Sequence, residues 1–260
     1  MRRLVVIFIA GLFAVSPAFA WGREAHETIA KIADNNLQNS ARRKIEKYLG
    51  DRSIVYYAKW MDEYRHTPEY AFTNKWHVAR VDEDLQYLPD KKQGDAIYGI
   101  EQAVEVLRNY KDQTDSTVAV NIKYLVHLVG DMHCPSHIYY EGKNQNFFVK
   151  FSDKAYIKPE MEIKIHTVWD QAAIQSSRIW SVSEWAEELD RCSAKEKKDM
   201  SKGTPVDWLH DNAERCIVQL DMASPGDVVA QDFVNEALPL IETQMLYAGY
   251  RLAALLNSIF

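Results

Sequence analysis

The chain has little cysteine, little glycine or proline, and no excess of positive charge. Cys134, Cys192 and Cys216 are its 3 cysteines in 260 residues, too few for a disulfide framework and without the paired spacing of a closed structural zinc site. Its 10 glycines and 8 prolines never cluster, so no flexible linker divides the chain. Internal repeats and low-complexity stretches are likewise missing. Lysine and arginine number 31 against 37 acids, a formal charge of −6. Such a protein has no basic sheath with which to clamp a phosphate backbone. If it handles a polyanion, local cations must supply the attraction, and metal ions come ahead of lysines. The longest apolar run, Leu4 to Val15, is too short to span a membrane comfortably.

That run reads instead as an export signal. Arg2 and Arg3 precede it and Ala18-Phe19-Ala20 follows, the order of a basic start, an apolar core and a cleavage site. Residues 1–20 are expected to be removed, leaving residues 21–260 as one domain, periplasmic or secreted. The loss of two arginines and no acid moves the formal charge from −6 to −8. In an oxidising compartment two cysteines can pair, and Cys192–Cys216 is the expected bridge because both lie in the late helical region. Cys134 is then left over, either a small buried thiol or a ligand. Cleavage after Ala20 makes Trp21 the N-terminus, close to His26. An α-amine beside a histidine is a potential metal-binding pair.

Helical periodicity dominates the rest. Ile29, Ala33 and Leu37 keep three-to-four spacing, as do Ile97, Ile100, Val104 and Leu107. Residues 115–133 give the strongest helix, capped by Asp115 or Ser116 and stopped by Pro135. Further helices are expected over 40–50, 53–65, 166–178, 182–191, 205–222 and 232–256. The C-terminal stripe Leu238, Ile241, Met245, Ala248, Leu252 and Leu255 reads as core. Alternation between Phe147 and Ile165 predicts a small β-hairpin or extended flap. The fold class is therefore all-α, a single-domain helical bundle with one extended excursion.

Histidine and aspartate carry the chemistry. Two of the 8 histidines share a pattern, His127-x-x-x-Asp131 and His166-x-x-x-Asp170. Residues four apart on a helix lie on one face, so each pair offers an imidazole and a carboxylate to the same side. This mixture of nitrogen and oxygen donors suits zinc. His127 and Asp131 also sit on an apolar helix, where an ionised carboxylate is costly unless paired or metal-bound. One such pair is compatible with a satisfied buried histidine. Two pairs, with His137 past a helix-ending proline and His26 near a new terminus, favour metal. His133 is read as a structural hydrogen-bonding residue, and His66 and His210 as surface residues.

In order along the chain stand Trp21-Gly22-Arg23-Glu24-Ala25-His26, Trp60-Met61-Asp62-Glu63-Tyr64-Arg65, Trp76-His77, the run His127 to His137, and His166-Thr167-Val168-Trp169-Asp170. This ordered set resembles the S1/P1 nuclease family of secreted tri-zinc phosphodiesterases, within the zinc-dependent phospholipase C/P1 nuclease superfamily. The resemblance implies three zinc ions per chain. Asp62, His77, His127 and Asp131 would hold the first; His137, His166 and Asp170 the second; the Trp21 amine and carbonyl with His26 the third, with Asp131 shared between the first and third. It further implies that Asp62 orients the attacking water and that Arg65 neutralises phosphoryl oxygens. The implied substrates are single-stranded DNA or RNA, cut to 5′-phosphorylated products, and 3′-nucleotides. Trp60, Trp76 and Trp169 are expected to pack behind adjacent ligands.

The chain departs from the family in the region that reads the base. Val78-Ala79-Arg80 follow His77, where fungal members offer an aromatic and an acid, and Lys143-Asn144-Gln145-Asn146 replace a Gly-Gly-Asn stretch. Arg80 and Asn146 are the candidate substrate contacts, and Tyr139, Tyr140, Phe147 and Phe148 the candidate stacking groups. Two other readings stand beside the nuclease: a phospholipase C-like phosphodiesterase, against which Asp170 counts because that branch typically has Glu there, and a non-catalytic zinc-binding exported protein. No membrane contact is expected after processing, and the protein is expected to be a monomer.

Overall fold

The computed structural model describes residues 21–152 and 160–260. The expected export segment and the tip of the expected 147–165 flap lie outside the described residues. From Arg23 onward helices dominate: α1 (Arg23–Asn35), α2 (Asn39–Tyr48), α3 (Trp60–Tyr64), α4 (Ala96–Arg108) and α5 (Asp115–Met132). Then come α6 (Ile165–Thr167), α7 (Ala173–Ser177), α8 (Val182–Leu189), α9 (Ala194–Met200), α10 (Pro205–Cys216) and α11 (Gln231–Ile259). The all-α expectation holds, with small sheets as the exception.

The strongest expected helix is at the centre. From Tyr124 to Met132 every residue of α5 is buried, so the helix has no solvent face over its last two turns. Its cap is Thr114 rather than Asp115 or Ser116. The Thr114 hydroxyl accepts from the Thr117 amide at 3.2 Å, which makes Asp115 the first helical residue, a favourable place for a carboxylate beside the helix dipole. α4 packs along α5, and α1 along α11. The long α11 runs three residues past its expected end, to Ile259. In its C-terminal stripe Leu256 is fully buried, whereas Leu255 is only partly so.

Three expected helices are interrupted, one of them over 205–222, where α10 ends at Cys216 and a 3-10 turn spans Ile217–Asp221; the other two breaks lie beside candidate ligands. Residues 53–65 form a 3-10 turn over Ile54–Tyr57 and then α3, not one helix. The break leaves the Ala58 carbonyl free to accept from His127 Nδ1 at 2.9 Å. Residues 165–177 pass through a π-helical turn at Val168–Ala172 between α6 and α7. α9 adds to the expected set, and its Ser193/Glu196 capping box is a signal readable in the sequence.

The hairpin forms from β3 (Phe148–Phe151) and β4 (Met161–Lys164), antiparallel with Phe148 opposite Lys164. A two-residue strand, β5 (Val228–Val229), adds to β3 in parallel. A further pair outside the expected elements, β1 (Ala79–Val81) and β2 (Ile138–Tyr140), is also parallel, with Ala79 opposite Ile138. These strands begin just after His77 and His137, so their pairing draws two distant histidines to one end.

The core has two main parts. One gathers around α4 and α5 with Trp60, Trp76 and Ile138; the other gathers Trp21, Ala25, Ile29, Cys134 and Trp169 against the first half of α11. The expected Cys192–Cys216 bridge is not formed, and all three cysteines are free thiols. The two partners belong to different regions: Cys216 is buried in the α4–α5 core, while Cys192 packs at the edge of a third cluster with Ile32, Ala186 and Tyr250. A shared helical region puts both late in the chain without putting them together.

The contact between α1 and α11 depends on a glycine. A Cβ at Gly249 would lie 2.5 Å from Ile32 Cγ2 and 2.7 Å from Ile32 Cβ. Gly249→Ala should therefore destabilise the protein by about 1–2 kcal/mol, the overpacking cost less the helix-propensity gain of alanine. An unchanged or higher midpoint in chemical denaturation would contradict this close approach.

Candidate metal centre

The seam between the two cores is polar. His26 projects from the first turn of α1, Asp62 from α3, and His127 and Asp131 from the fully buried end of α5. His77 precedes β1 and His137 precedes β2. Asp170 lies in the π-helical turn. All seven side chains are buried, each 3 % exposed or less. Trp60, Trp76 and Trp169, close in sequence to Asp62, His77 and Asp170, are buried.

Asp131 is the hub. Its Oδ2 lies 2.8 Å from His77 Nδ1 and 3.1 Å from His127 Nε2. Its Oδ1 lies 3.3 Å from both His26 Nε2 and His137 Nδ1. Asp62 Oδ1 faces His127 at 3.7 Å and His77 at 3.8 Å. Because His127 Nδ1 donates to the Ala58 carbonyl, its Nε2 presents a lone pair to this group. His77 Nδ1 stands 3.2 Å from that nitrogen, and the His26 ring stacks on the His127 ring at 4.0 Å.

A glycine eases the close approach of His26. A Cβ at Gly130 would meet His26 Nδ1 at 3.0 Å, so the bare backbone spares the imidazole a shift of a few tenths of an ångström where it lies against α5 beside Asp131. Trp21 is buried here too, and its indole Nε1 donates to the Gly130 carbonyl at 2.8 Å. The Gly22 amide donates to the Asp170 carbonyl at 2.7 Å. The residues at the expected processed terminus thus lie on the helix turn that carries Asp131.

On the far side, His137 Nε2 lies 3.5 Å from Asp170 Oδ1, and the His137 and His166 rings stack at 4.9 Å. His166 is less buried than the others, and its donors do not join the convergent group, which is Cys134, His137 and Asp170. Arg65 is buried with Nη2 3.6 Å from Asp62 Oδ1. Arg80, on the outward face of β1, and Asn146 are exposed, and among the described residues no hydrogen bond or ion pair joins either side chain to the cluster. Of the candidate stacking groups, Tyr140 is buried, Tyr139 and Phe147 are half-buried and Phe148 is exposed. His133 makes the expected structural bonds, to the Val129 carbonyl at 2.7 Å and from Arg251 at 2.8 Å. His66 is exposed, and His210 lies 3.7 Å from Glu214 on the surface of α10.

This donor set fits metal ions. Both ring nitrogens of His26 and of His137, both oxygens of Asp62, His77 Nε2 and Asp131 Oδ1 are buried without a hydrogen-bond partner. Buried polar atoms are rarely left so, and here they converge on one seam. Neutral imidazole and ionised carboxylate are the forms that coordinate. Burial, reinforced by His127, lowers the His26 pKa to about 4, and burial lowers His77 as well. Burial alone would raise Asp131, but His127 and His137 hold it well below the usual carboxylate range. Burial opposes a charge on His137, yet Asp131 and Asp170 lift its pKa to about 10. Asp170 is lifted to about 7 by burial, partly offset by His137.

The last two groups hold protons near neutrality that a metal must displace. Zinc binding to the chelator-treated protein should therefore release at least one proton per chain at neutral pH, and affinity should rise between about pH 6 and 9. Calorimetry in buffers of different ionisation enthalpy measures this. A proton count of zero with pH-independent affinity would contradict the assignment of these groups as ligands.

The S1/P1 Nuclease family model matches residues 21–260. Endonuclease 4 of Arabidopsis thaliana is 25% identical over 95% of this chain and 91% of its own length. Endonuclease 2 of the same plant is 24% identical over 99% of this chain and 96% of its own. Nuclease S1 of Aspergillus oryzae is 24% identical over 100% of this chain and 98% of its own. With the match running from Trp21 through every donor of the seam to the end of α11, the chain belongs to the S1/P1 nuclease family and is a hydrolytic nuclease.

Proposed function

We propose that the protein is an exported, monomeric, zinc-dependent nuclease that hydrolyses single-stranded DNA or RNA to 5′-phosphorylated products and removes the phosphate of 3′-nucleotides. The observation that carries this reading is Asp131, whose two carboxylate oxygens each face two imidazoles within 3.3 Å in a buried seam. In this reading three zinc ions are held. Asp62, His77, His127 and Asp131 hold one, and His137, His166 and Asp170 another. The Trp21 amine and carbonyl with His26 hold the third, with Asp131 shared. Burial of Trp21 and its indole bond to Gly130 support the N-terminal ligand, as does a family match that begins at that residue. No helix among the described residues is long and apolar enough to cross a membrane.

Bound zinc supplies Lewis-acid stabilisation of phosphoryl charge and lowers the pKa of water towards neutrality. The protein's own groups do the rest. Asp62 aims its carboxylate into the cluster, where it orients the attacking water and takes its proton at Oδ1 or Oδ2. Arg65, beside Asp62, offers a fixed guanidinium to the non-bridging phosphoryl oxygens, which gain charge as the bond forms.

A groove of about 960 Å³ includes Trp76, the residue before His77, and exposed Phe72 and Tyr98 line it with Lys75, Lys91 and Lys92 and with Asp90 and Glu101. Aromatic faces among cations suit unpaired bases and their phosphates, with stacking worth about 1–3 kcal/mol per base. A paired duplex hides those faces. In this reading the groove, together with Arg80 and Asn146, contacts the unpaired bases and their phosphates.

Zinc-replete mature protein incubated with a single-stranded oligonucleotide, a 3′-mononucleotide and phosphatidylcholine tests the reading. The expected outcome is turnover of the first two, with 5′-phosphate ends on the oligonucleotide products. Hydrolysis of phosphatidylcholine alone, 3′-phosphate ends, or no turnover of any ester would overturn it.

A further inference from the structure

Cys134 is a buried core residue that the ligand scheme leaves unassigned. It occupies the turn between Asp131 and His137, and that turn is held from several sides. The Cys134 amide donates to the Asp131 carbonyl at 2.9 Å. Gln244 donates to the His133 carbonyl at 3.1 Å, and Gln219 donates to the Pro135 carbonyl. Arg251 and the Val129 carbonyl fix the His133 ring. The backbone of Cys134 is therefore set, and its fully buried side chain belongs to the apolar cluster of Trp21, Ala25 and Trp169 while its sulfur also faces Ser136 and Asp170.

There the sulfur meets polar partners. Sγ lies 3.7 Å from Asp170 Oδ1 and 3.2 Å from the Ser136 hydroxyl. Asp170 Oδ1 lies 3.5 Å from His137 Nε2, and donors of Cys134, His137 and Asp170 all fall within 4.8 Å of one another. In a tetrahedral zinc shell with Zn–S about 2.3 Å and Zn–N or Zn–O about 2.0 Å, neighbouring donors stand roughly 3.3–3.5 Å apart. The two edges in the structure match that shell to a few tenths of an ångström. An independent sign of a missing ligand is His137, 2 % exposed, with neither ring nitrogen hydrogen-bonded.

We propose that Cys134 coordinates, through its thiolate, the metal held by His137 and Asp170, giving that position a sulfur donor beside nitrogen and oxygen. The thiol proton leaves to solvent as the metal binds. The inference rests on the metal centre proposed for the seam. Sulfur makes the position softer and biases it towards zinc over magnesium or manganese, which prefer oxygen.

Cobalt(II) loaded into the mature chain reports the sulfur directly, because thiolate ligation adds a near-ultraviolet charge-transfer band to the visible bands of the ion. The wild-type protein and Cys192→Ser should show the band, and Cys134→Ser should lose it while retaining visible cobalt absorption. X-ray absorption at the zinc edge of the wild-type protein needs no variant to fold, and it should show a sulfur scatterer at about 2.3 Å. A full metal complement with only nitrogen and oxygen scatterers, or a band that survives Cys134→Ser, would overturn the thiolate alone. Failure to bind any metal would instead overturn the centre on which it rests.

Discussion

The structure depends on one carboxylate placed where a carboxylate alone could not stay. Asp131 sits on the part of α5 that has no solvent face, 0 % exposed, with imidazoles against both oxygens. Burying an ionised group without partners costs several kcal/mol, so the helix is tolerable only if the surrounding elements bring compensating charge. They do so from four directions: α1 with His26, the Trp76-His77 segment before β1, α5 itself with His127, and the turn before β2 with His137. Removing one partner would leave the others buried and unsatisfied, which ties the ligands to one another and to the fold.

The helices supply positions and the irregular backbone supplies aim. The break before α3 frees the Ala58 carbonyl that fixes the His127 tautomer, and the glycine at position 130 eases the approach of the His26 ring. Parallel pairing of β1 with β2 places His77 and His137 at the same edge. The π-helical turn holds Asp170 opposite His137. Each irregularity lies within a few residues of a donor. Departures from regular structure are tolerated where a site requires them and the surrounding packing is strong enough to hold them.

Much of this is legible from residue order. The i,i+4 pair on the apolar helix, the stop at Pro135, the strand alternation from Phe147 and the ordered clusters of tryptophan, histidine and aspartate are local signals. The structure carries the first three, and of the ordered clusters it brings together every side-chain donor but His166. The hidden features are non-local or short. Three-residue strands such as Ala79–Val81 are too brief to show a period, and their parallel partner lies far along the chain. Helical pattern runs through residues 53–65 because Ile54 and Met61 keep an apolar spacing across the 3-10 break. The cysteine pairing fails because a shared helical region does not fix distance, which packing alone decides. His166 shares its four-residue spacing with His127, but the π turn between His166 and Asp170 changes what that spacing means in space.

The most direct test is anomalous diffraction at the zinc edge from crystals of the mature protein beginning at Trp21. Three peaks are expected, with Asp131 among the ligands and one peak within coordination distance of the Trp21 amine. Peaks that leave Asp131 uncoordinated, or none in the seam, would contradict an account in which that carboxylate organises the centre.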